Sequence, residues 1–182
     1  VAAKTADFGY VDVPTMMRAA VKGAPIVATG VLLQTSPMSA MGFVEKNIKK
    51  PEDIKGKRVG VPEYQMTAPV WIRGILSDDY SVKVTDVEHF SGGEEEPGRD
   101  EKLKINLPPE IRLRSIGSNQ TLSRMLADGE LDALVTARAP STFHKEPDRV
   151  KRLFPNYVEV EKEYYRRTKI VPPMHTVVIR RD

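Results

Sequence analysis

The sequence contains no cysteine among its 182 residues and only three histidines. The lack of cysteine excludes disulfide bonds, cysteine-ligated iron–sulfur clusters and thiol catalysis, although it does not identify a compartment. The histidines are scattered and none follow the H-x-x-x-H spacing of a helical zinc site, so the sequence predicts no metal site. No segment approaches the roughly 18 consecutive apolar residues that a membrane-spanning helix needs.

An excess of charge of one sign is also absent. The net charge is only +3, and lysine and arginine are interspersed with aspartate and glutamate. Without a basic stripe interleaved with aromatic residues, the sequence does not predict binding to nucleic acid. Apolar residues make up 40% and charged residues 29%, which is typical of a globular protein of one domain or two small ones. The first residues do not form a signal peptide, and we interpret both ends as cuts through a larger fold.

Strand-like and helix-like segments alternate along the chain. Strands are predicted at residues 6–11, 25–33, 38–44, 58–61, 82–89, 111–116, 132–136 and 174–180. Helices are predicted at residues 14–22, 68–79, 121–128, 147–153 and 159–167. The predicted N-caps are Asp12 and either Ser118 or Asn119, and Gly23 and Gly129 are the predicted stops. This alternation predicts an α/β fold with a mainly parallel sheet that is covered on both faces.

The segment from residue 59 to residue 76 combines an apolar strand, a polar loop and an apolar-periodic helix with proline in its first turn. In open α/β sheets, ligands bind at the carboxyl ends of the strands, and the N–H groups of a helix N-terminus favour anions. Tyr64, Gln65 and Thr67 supply hydroxyl and amide groups there, and Arg73 supplies a planar cation. The segment therefore predicts a site for a small anionic molecule, although Thr67 and Gln65 are equally candidates for capping the helix.

A second cation, Arg138, lies just past the predicted strand at 132–136. At that edge of a sheet a guanidinium group can hold a carboxylate with two hydrogen bonds. The alternative is a surface arginine that pairs with a nearby glutamate. The same alternatives apply to Arg73, which lies further into its helix.

His175 follows a proline pair at the start of the last predicted strand. An imidazole can act as a general acid near neutral pH, and the alternative is a buried, hydrogen-bonded histidine. The consecutive residues Glu94, Glu95 and Glu96 occupy a Gly/Pro-rich loop and are predicted to be solvated, with at most one reaching a cleft. No Ser/His/Asp triad, phosphate loop or dinucleotide fingerprint is present, so neither phosphoryl nor hydride transfer is indicated.

Several motifs occur in order between residues 55 and 182. They are Gly60-Val61-Pro62-Glu63-Tyr64-Gln65-Met66-Thr67, Gly93-Glu94-Glu95-Glu96-Pro97-Gly98-Arg99, Met125-Leu126-Ala127-Asp128-Gly129-Glu130-Leu131-Asp132-Ala133 and Tyr164-Tyr165-Arg166-Arg167-Thr168. Together they resemble the 4,5-dihydroxyphthalate decarboxylase family. Residues 1–50 are more similar to transporter-linked binding proteins, through Asp7-Phe8-Gly9-Tyr10 and Gln34-Thr35-Ser36-Pro37.

These resemblances imply the fold of a type-2 periplasmic binding protein, in which two α/β lobes with mainly parallel sheets flank a ligand cleft. We expect residues 1–50 to form part of the first lobe, which is incomplete in this chain. Residues 51–172 are expected to form the second lobe, and residues 173–182 a strand that returns toward the first.

The activity of the family implies non-oxidative decarboxylation of a small aromatic di-acid without a cofactor. The expected proton donor is His175, with Glu63 behind it, and the expected substrate-binding residues are Tyr64, Gln65, Thr67, Arg73, Arg138, Tyr10 and Ser36. The alternative is the solute-binding component of an ABC-type importer for a small organic anion, such as a sulfonate, nitrate or a thiamine precursor, with a membrane permease as its partner. A decarboxylase is expected in the cytoplasm, and an importer component in the periplasm or outside the cell.

Overall fold

The computed structural model of the protein describes residues 1–31, 39–102, 106–172 and 175–180. Two compact units are present: Val1–Ser36 with Lys162–Asp182, and Pro37–Glu161. The boundaries between the lobes were predicted from the sequence at residues 50/51 and 172/173. The first boundary lies earlier because the strand at Ser39–Phe43 is hydrogen-bonded within the sheet of the second unit.

Nine strands and five α-helices occur in the described part of the chain. The strands are β1 (Phe8–Asp12), β2 (Ile26–Val31), β3 (Ser39–Phe43), β4 (Arg58–Val61), β5 (Glu88–Ser91), β6 (Arg112–Ser115), β7 (Ala133–Thr136), β8 (Val150–Arg152) and β9 (His175–Arg180). The helices are α1 (Val13–Val21), α2 (Thr67–Tyr80), α3 (Leu122–Ala127), α4 (Ser141–Lys145) and α5 (Tyr157–Thr168). Among the described residues, no helix combines the length and the apolar content needed to cross a membrane.

Helix boundaries follow local signals at some positions and not at others. The carboxylate of Asp12 accepts a hydrogen bond from the N–H of Thr15 at 2.9 Å, which confirms the predicted cap of α1. The predicted stop of α3 is also confirmed, because Gly129 adopts a φ of 75° that side chains disfavour. The cap of α3 is Thr121, not Ser118 or Asn119, since its hydroxyl accepts from the N–H of Arg124. At α2 the N-cap is Met66, which gives no side-chain hydrogen bond.

Two predicted elements differ in the structure. The predicted strand at 82–89 begins as a 3-10 turn at Val84–Asp86, closed by a hydrogen bond from the N–H of Lys83 to Asp86, and only β5 is extended. The predicted helix at 147–153 is wrong, because β8 occupies that segment and pairs with β3. Isolated from its neighbours, a three-residue strand carries almost no periodicity, so tertiary pairing decides its conformation.

The sheet of the first unit has the order β1-β9-β2 and is antiparallel throughout. The expectation of a mainly parallel sheet fails here, because β9 lies between the other two strands and runs opposite to both. Side chains on one face, including Phe8 and Tyr10, are exposed at 68% and 55%.

The second unit contains a six-stranded sheet with the order β6-β5-β4-β7-β3-β8. β4 runs parallel to both β5 and β7, and β5 runs parallel to β6, whereas β3 is antiparallel to β7 and β8. The chain moves outward from β4 to β5 and β6 and then returns to the other side of β4 as β7. The strand order therefore reverses at the junction of β4 and β7, which is the position where open α/β sheets bind ligands.

Apolar side chains cover both faces of this sheet, as predicted. Alternate residues of β7 point to opposite sides: Leu134 packs in a cluster with α3, and Ala133 and Val135 pack in a cluster with α2. Gly60 permits close approach on the α3 side, since an added Cβ would lie about 3 Å from three leucine side chains. The helices α3 and α2 thus pack on opposite faces of the sheet.

A buried ion pair connects the amino-terminal ends of β4 and β7, where Arg58 and Asp132 lie. Asp132, which is 5% exposed, accepts hydrogen bonds from the backbone N–H and the guanidinium group of Arg58 at 2.8 to 3.2 Å. Lys46 adds a charge at 3.6 Å. Burial alone would raise the pKa of Asp132, but these partners leave that pKa below its usual value.

We expect Asp132→Asn to lower the free energy of unfolding by about 2 kcal/mol, because Arg58 loses a charged partner for its guanidinium group. Urea unfolding at pH 7 measures the change. The lowered pKa means that the ion pair stabilises the fold fully above about pH 4 and is lost as the pH falls further. Asp128→Asn is the matched control, since the pair of Asp128 with Arg124 is exposed and should contribute less than about 1 kcal/mol. Equal losses in the two variants contradict the prediction.

Candidate functional site

The candidate site is the edge of the six-stranded sheet where β4, β5 and β7 end. Their register aligns Val61 with Ser91 and Gly60 with Leu134. Because these strands are parallel, the segments that follow them leave the sheet at the same edge. Tyr64 follows β4, Glu94 follows β5 and Arg138 follows β7 at this edge, where the strand order reverses.

The carboxyl group of Glu94 spans this junction. Its Oε2 accepts a hydrogen bond from the hydroxyl of Thr136 at 2.5 Å, which joins the loop after β5 to the end of β7. Because β4 lies between those strands, the side chain of Glu94 passes over the end of β4. The residue is 7% exposed, and its Oε1 is buried without a hydrogen-bond partner in the described part of the chain.

Arg138 supplies positive charge beside this acid. It is exposed, and it makes no hydrogen bond or ion pair with the residues that the structure describes. Its charge lowers the pKa of Glu94, against the larger effect of burial. Arg138 follows two residues after Thr136, the hydrogen-bond partner of Glu94. The carboxylate-binding role of Arg138 and its alternative, a surface arginine beside a glutamate, both stay predictions.

Glu63 follows β4 and is already paired. Its Oε1 accepts hydrogen bonds from Nε of Arg99, at 3.0 Å, and from the Nη2 of the same residue, and Lys102 lies 3.6 Å away. A second contact links the same loops, because Glu101 accepts from the N–H of Tyr64 at 2.6 Å. These contacts fasten the segment 99–102 against the segment 63–64, and Glu63 serves as an anchor of that connection.

The side chains of Tyr64 and Arg73 are directed inward rather than along the edge. Tyr64 is 5% exposed, and its ring lies beneath the guanidinium group of Arg73 at 3.7 Å and edge-on to His89 at 5.1 Å. Nη2 of Arg73 donates to the carbonyl of Tyr64 at 2.7 Å. Arg73 therefore stabilises the loop after β4 from within, and burial lowers its pKa.

Gln65 and Thr67 complete the loop between β4 and α2. Gln65 is half-buried, and Thr67 is buried as the first residue of α2. The N-terminus of α2 therefore opens at the same edge as Glu94 and Arg138, which favours negative charge nearby.

The other expected residues belong to the first unit. The rings of Tyr10 and His175 stack with 4.7 Å between centroids and 9° between planes, because the register of β1 and β9 places them diagonally on one face. Nδ1 of His175 is buried without a partner in the described chain. Ser36 lies outside the described residues. No group of three His, Asp or Glu side chains within the described ranges could hold a metal ion.

Reasoning from the sequence missed Glu94, Thr136 and Arg99. The predicted solvated loop contains one buried acid, Glu94, one helix cap, Glu95, which accepts from the N–H and hydroxyl of Ser141, and the exposed Glu96. The Gly92-Gly93 pair that precedes them was the available indication, since two adjacent glycines directly after a strand suggest a tightly packed turn.

Comparison with known proteins places this architecture in a family. A family model described as NMT1/THI5 like matches residues 1–93. The chain belongs to the NMT1/THI5-like family. Two curated relatives of this NMT1/THI5-like protein are named 4,5-dihydroxyphthalate decarboxylase. The protein from Comamonas testosteroni is 37% identical over 98% of this chain and 56% of its own length. The protein from Pseudomonas putida is 43% identical over 67% of this chain and 47% of its own length.

Solved structures confirm the fold class. The periplasmic aliphatic sulphonate binding protein SsuA from Escherichia coli matches with a TM-score of 0.55 and 13% identity over 98% of this chain and 48% of its own. The periplasmic sulfonate-binding protein SsuA from Methylobacillus flagellatus matches with a TM-score of 0.60 and 14% identity over 98% of this chain and 43% of its own. The NMT1/THI5-like chain thus has the periplasmic-binding-protein fold, and it spans about half the length of the curated relatives that it matches.

Proposed function

We propose that this protein binds a small aromatic di-acid at the sheet edge of the second unit and decarboxylates it without oxidation, as a 4,5-dihydroxyphthalate decarboxylase would. The observation that carries the proposal is the exposed guanidinium group of Arg138 at the reversal of strand order, which has no ion pair with the residues that the structure describes. The names of the two curated relatives supply the substrate class. A planar guanidinium group at this position matches one carboxylate of such a substrate with two parallel hydrogen bonds.

The substrate itself supports the chemistry. In 4,5-dihydroxyphthalate, each carboxylate is attached to a ring carbon that lies para to a hydroxyl group, and the hydroxyl donates electron density to that carbon. A proton added there allows the bond to the carboxylate to break, and carbon dioxide leaves as the ring regains its aromaticity. The site needs a cation for the retained carboxylate and a proton donor for the ring carbon.

The residues have separate roles in this proposal. Arg138 binds the retained carboxylate, and the N–H groups at the start of α2, near Gln65 and Thr67, favour the anion. Tyr64 and Arg73 hold the loop after β4 in place through their mutual contact. His175 and Tyr10 stay predicted functional residues of the first unit. Glu63 acts through its ion pair with Arg99.

The direct test is incubation of the purified protein with 4,5-dihydroxyphthalate, followed by chromatography for 3,4-dihydroxybenzoate and by calorimetry for binding. Formation of 3,4-dihydroxybenzoate supports the proposed decarboxylase activity. Tight binding without product over hours contradicts it and favours the second candidate, a solute-binding component for a small organic anion, which the periplasmic-binding-protein fold supports.

We expect Arg138→Gln to weaken binding of 4,5-dihydroxyphthalate about 10- to 100-fold, because a charge-assisted bidentate contact contributes about 1.5 to 3 kcal/mol. Isothermal titration calorimetry measures the affinity. Arg112→Gln is the matched control, since Arg112 is an exposed arginine at the start of β6 and the charge change is identical. If both variants bind as the unaltered protein does, Arg138 does not hold the carboxylate.

A further inference from the structure

The backbone of residues 93–95 holds the carboxyl group of Glu94 in a fixed position. The carbonyl of Gly93 accepts from the N–H of Leu122 at 2.9 Å, and the carbonyl of Glu94 accepts from the N–H of Ser123 at 3.0 Å. The side chain of Glu95 caps α4 through Ser141. One turn therefore binds the first residues of two helices, while its acidic side chain reaches the end of β7. This arrangement pre-orients the acid, as catalysis requires.

The hydrogen bonding of this carboxyl group is incomplete. Oε2 has Thr136 as a partner, but Oε1 is buried and has none among the described residues. A buried polar atom without a partner is costly, so such an atom at a sheet edge indicates a position that a bound molecule completes. Structural acids of this protein differ in this respect, since Asp132 is buried with both oxygens bonded.

The surroundings of Glu94 raise the pKa of its carboxyl group, chiefly through burial. Burial raises the pKa of its carboxyl group most strongly, and the neighbouring Glu95 raises it further. The hydrogen bond from Thr136 and the charges of Arg138 and Arg99 lower it, but the net direction is upward. The group therefore keeps its proton to a higher pH than an ordinary glutamate and can give that proton to a ligand.

We propose that Glu94 is the proton donor of the decarboxylation, transferring its proton from Oε1 to the ring carbon that loses carbon dioxide. This inference rests on the proposed function. It assigns to Glu94 the role of general acid that the sequence analysis expected of His175. A carbon–hydrogen bond forms at the ring carbon, the electron pair of the carbon–carboxylate bond returns to the ring, and carbon dioxide departs. Glu94 is left as a carboxylate and takes a proton from solvent before the next turnover.

The position of Arg138 is consistent with this role. Glu94 is hydrogen-bonded to Thr136, and Arg138 follows two residues later on the same segment, so a di-acid with one carboxylate on Arg138 is expected to bring its ring toward Glu94. Oε1 is shielded from solvent, and the proposal requires that the entering ligand uncover it.

The test is Glu94→Gln, which keeps the shape and an oxygen for Thr136 but cannot deliver the proton. We expect kcat to fall at least about 100-fold, the usual contribution of a general acid, while the affinity for 3,4-dihydroxybenzoate changes less than about threefold. Glu96→Gln is the matched control on the same loop, since Glu96 is exposed. This control should retain the unaltered kcat.

A pH profile separates catalysis from a merely structural role. In the unaltered protein, kcat/KM should decline at high pH as Glu94 loses its proton. Thr136→Val removes a hydrogen bond that lowers the pKa of Glu94, so the decline should move to higher pH. Circular dichroism shows whether Glu94→Gln folds. If it does not, the pH profile of Thr136→Val still tests whether Glu94 is the proton donor.

Three results overturn the proposal: unaltered kcat in Glu94→Gln, an unmoved high-pH decline in Thr136→Val, or loss of that decline in His175→Gln instead. Failure of the proposed function is distinguishable from these results. In that case the unaltered protein binds 4,5-dihydroxyphthalate and forms no product, which is seen before any variant is made.

Discussion

Acidification from pH 7 to pH 4.5 will lower the free energy of unfolding by about 2.5 kcal/mol through His89 alone. His89 is 3% exposed, and Nε2 donates to the carbonyl of Val84 at 3.2 Å, whereas Nδ1 is buried without a partner in the described chain. Burial and, to a smaller extent, the charges of Arg73 and Arg112 lower the pKa of this imidazole to about 4, although its hydrogen bond to Val84 acts in the opposite direction.

The direction follows from proton binding. Between pH 6.5 and about 4 the unfolded chain binds a proton at His89 that the folded protein excludes, so protons favour unfolding. Above pH 6.5 both states are neutral at this residue, and the stability is fully present. Buried Glu94 and half-buried Glu101, whose pKa values are raised by desolvation, act in the opposite sense, because protonation favours their folded forms.

Comparison of variants isolates the histidine. Urea unfolding at pH 7 and pH 4.5 gives a pH-dependent loss for the unaltered protein, and His89→Gln should reduce that loss by about 2.5 kcal/mol, whatever its effect on stability at pH 7. His144→Gln is the matched control, because His144 is exposed at the end of α4. If the free energy of unfolding has the same pH dependence in His89→Gln as in His144→Gln, the prediction is wrong, and the folded protein does not disfavour protonation of His89.

Local chemistry explains which parts of the fold were predictable. β4 occupies the predicted residues because Val59 and Val61 form a short buried run, and α1 begins where Asp12 can cap it. Each of these features depends on residues within four positions of each other. The turn at Gly129 is equally local, since glycine is the residue that adopts a positive φ without strain.

Features that depend on distant partners were not predictable. The strand at 82–89 was suggested by Val82, Val84 and Val87, which are β-branched, but the burial of Val82 and Val87 with residues of α2 and β4 is compatible with a 3-10 turn between them. β8 is extended only because β3 pairs with it from more than 100 positions earlier. Propensity is a weak guide in both cases, because tertiary contacts outweigh it.

The candidate site shows the same division. The position of Arg138 could be predicted, since it lies just past a predicted strand. In an open α/β sheet, the carboxyl ends of such strands form the ligand-binding edge. The burial of Glu94 could not, because its partner Thr136 is 42 residues away and its neighbours Glu95 and Glu96 face other surroundings. Tyr64 and Arg73 have side chains suited to binding, yet Arg73 stacks on the ring of Tyr64 and donates to its carbonyl, and only the packing of α2 reveals these contacts.

Replacing Gly93 with alanine will lower the free energy of unfolding by about 3 kcal/mol or more. An added Cβ would lie 1.6 Å from the carbonyl oxygen of Glu96, and that oxygen belongs to the backbone of the same turn. The turn cannot yield without moving the carbonyls of Gly93 and Glu94, which bind the first residues of α3. The carboxyl group of Glu94 moves with them, so we expect the proposed decarboxylation to be lost as well.

Two other glycines provide graded controls for this prediction. At Gly92 the nearest atoms to an added Cβ belong to the side chain of Ile116, at 2.3 Å, and a side chain can rotate away at lower cost than a backbone. At Gly74, in α2, no atom lies within 4 Å, so alanine should stabilise the helix by up to about 1 kcal/mol. Thermal and urea unfolding should therefore rank Gly93→Ala as the most damaging, Gly92→Ala next and Gly74→Ala as neutral or favourable. A cost at Gly93 no larger than that at Gly92 would show that the turn is compliant, and a compliant turn cannot hold Glu94 in position for proton transfer.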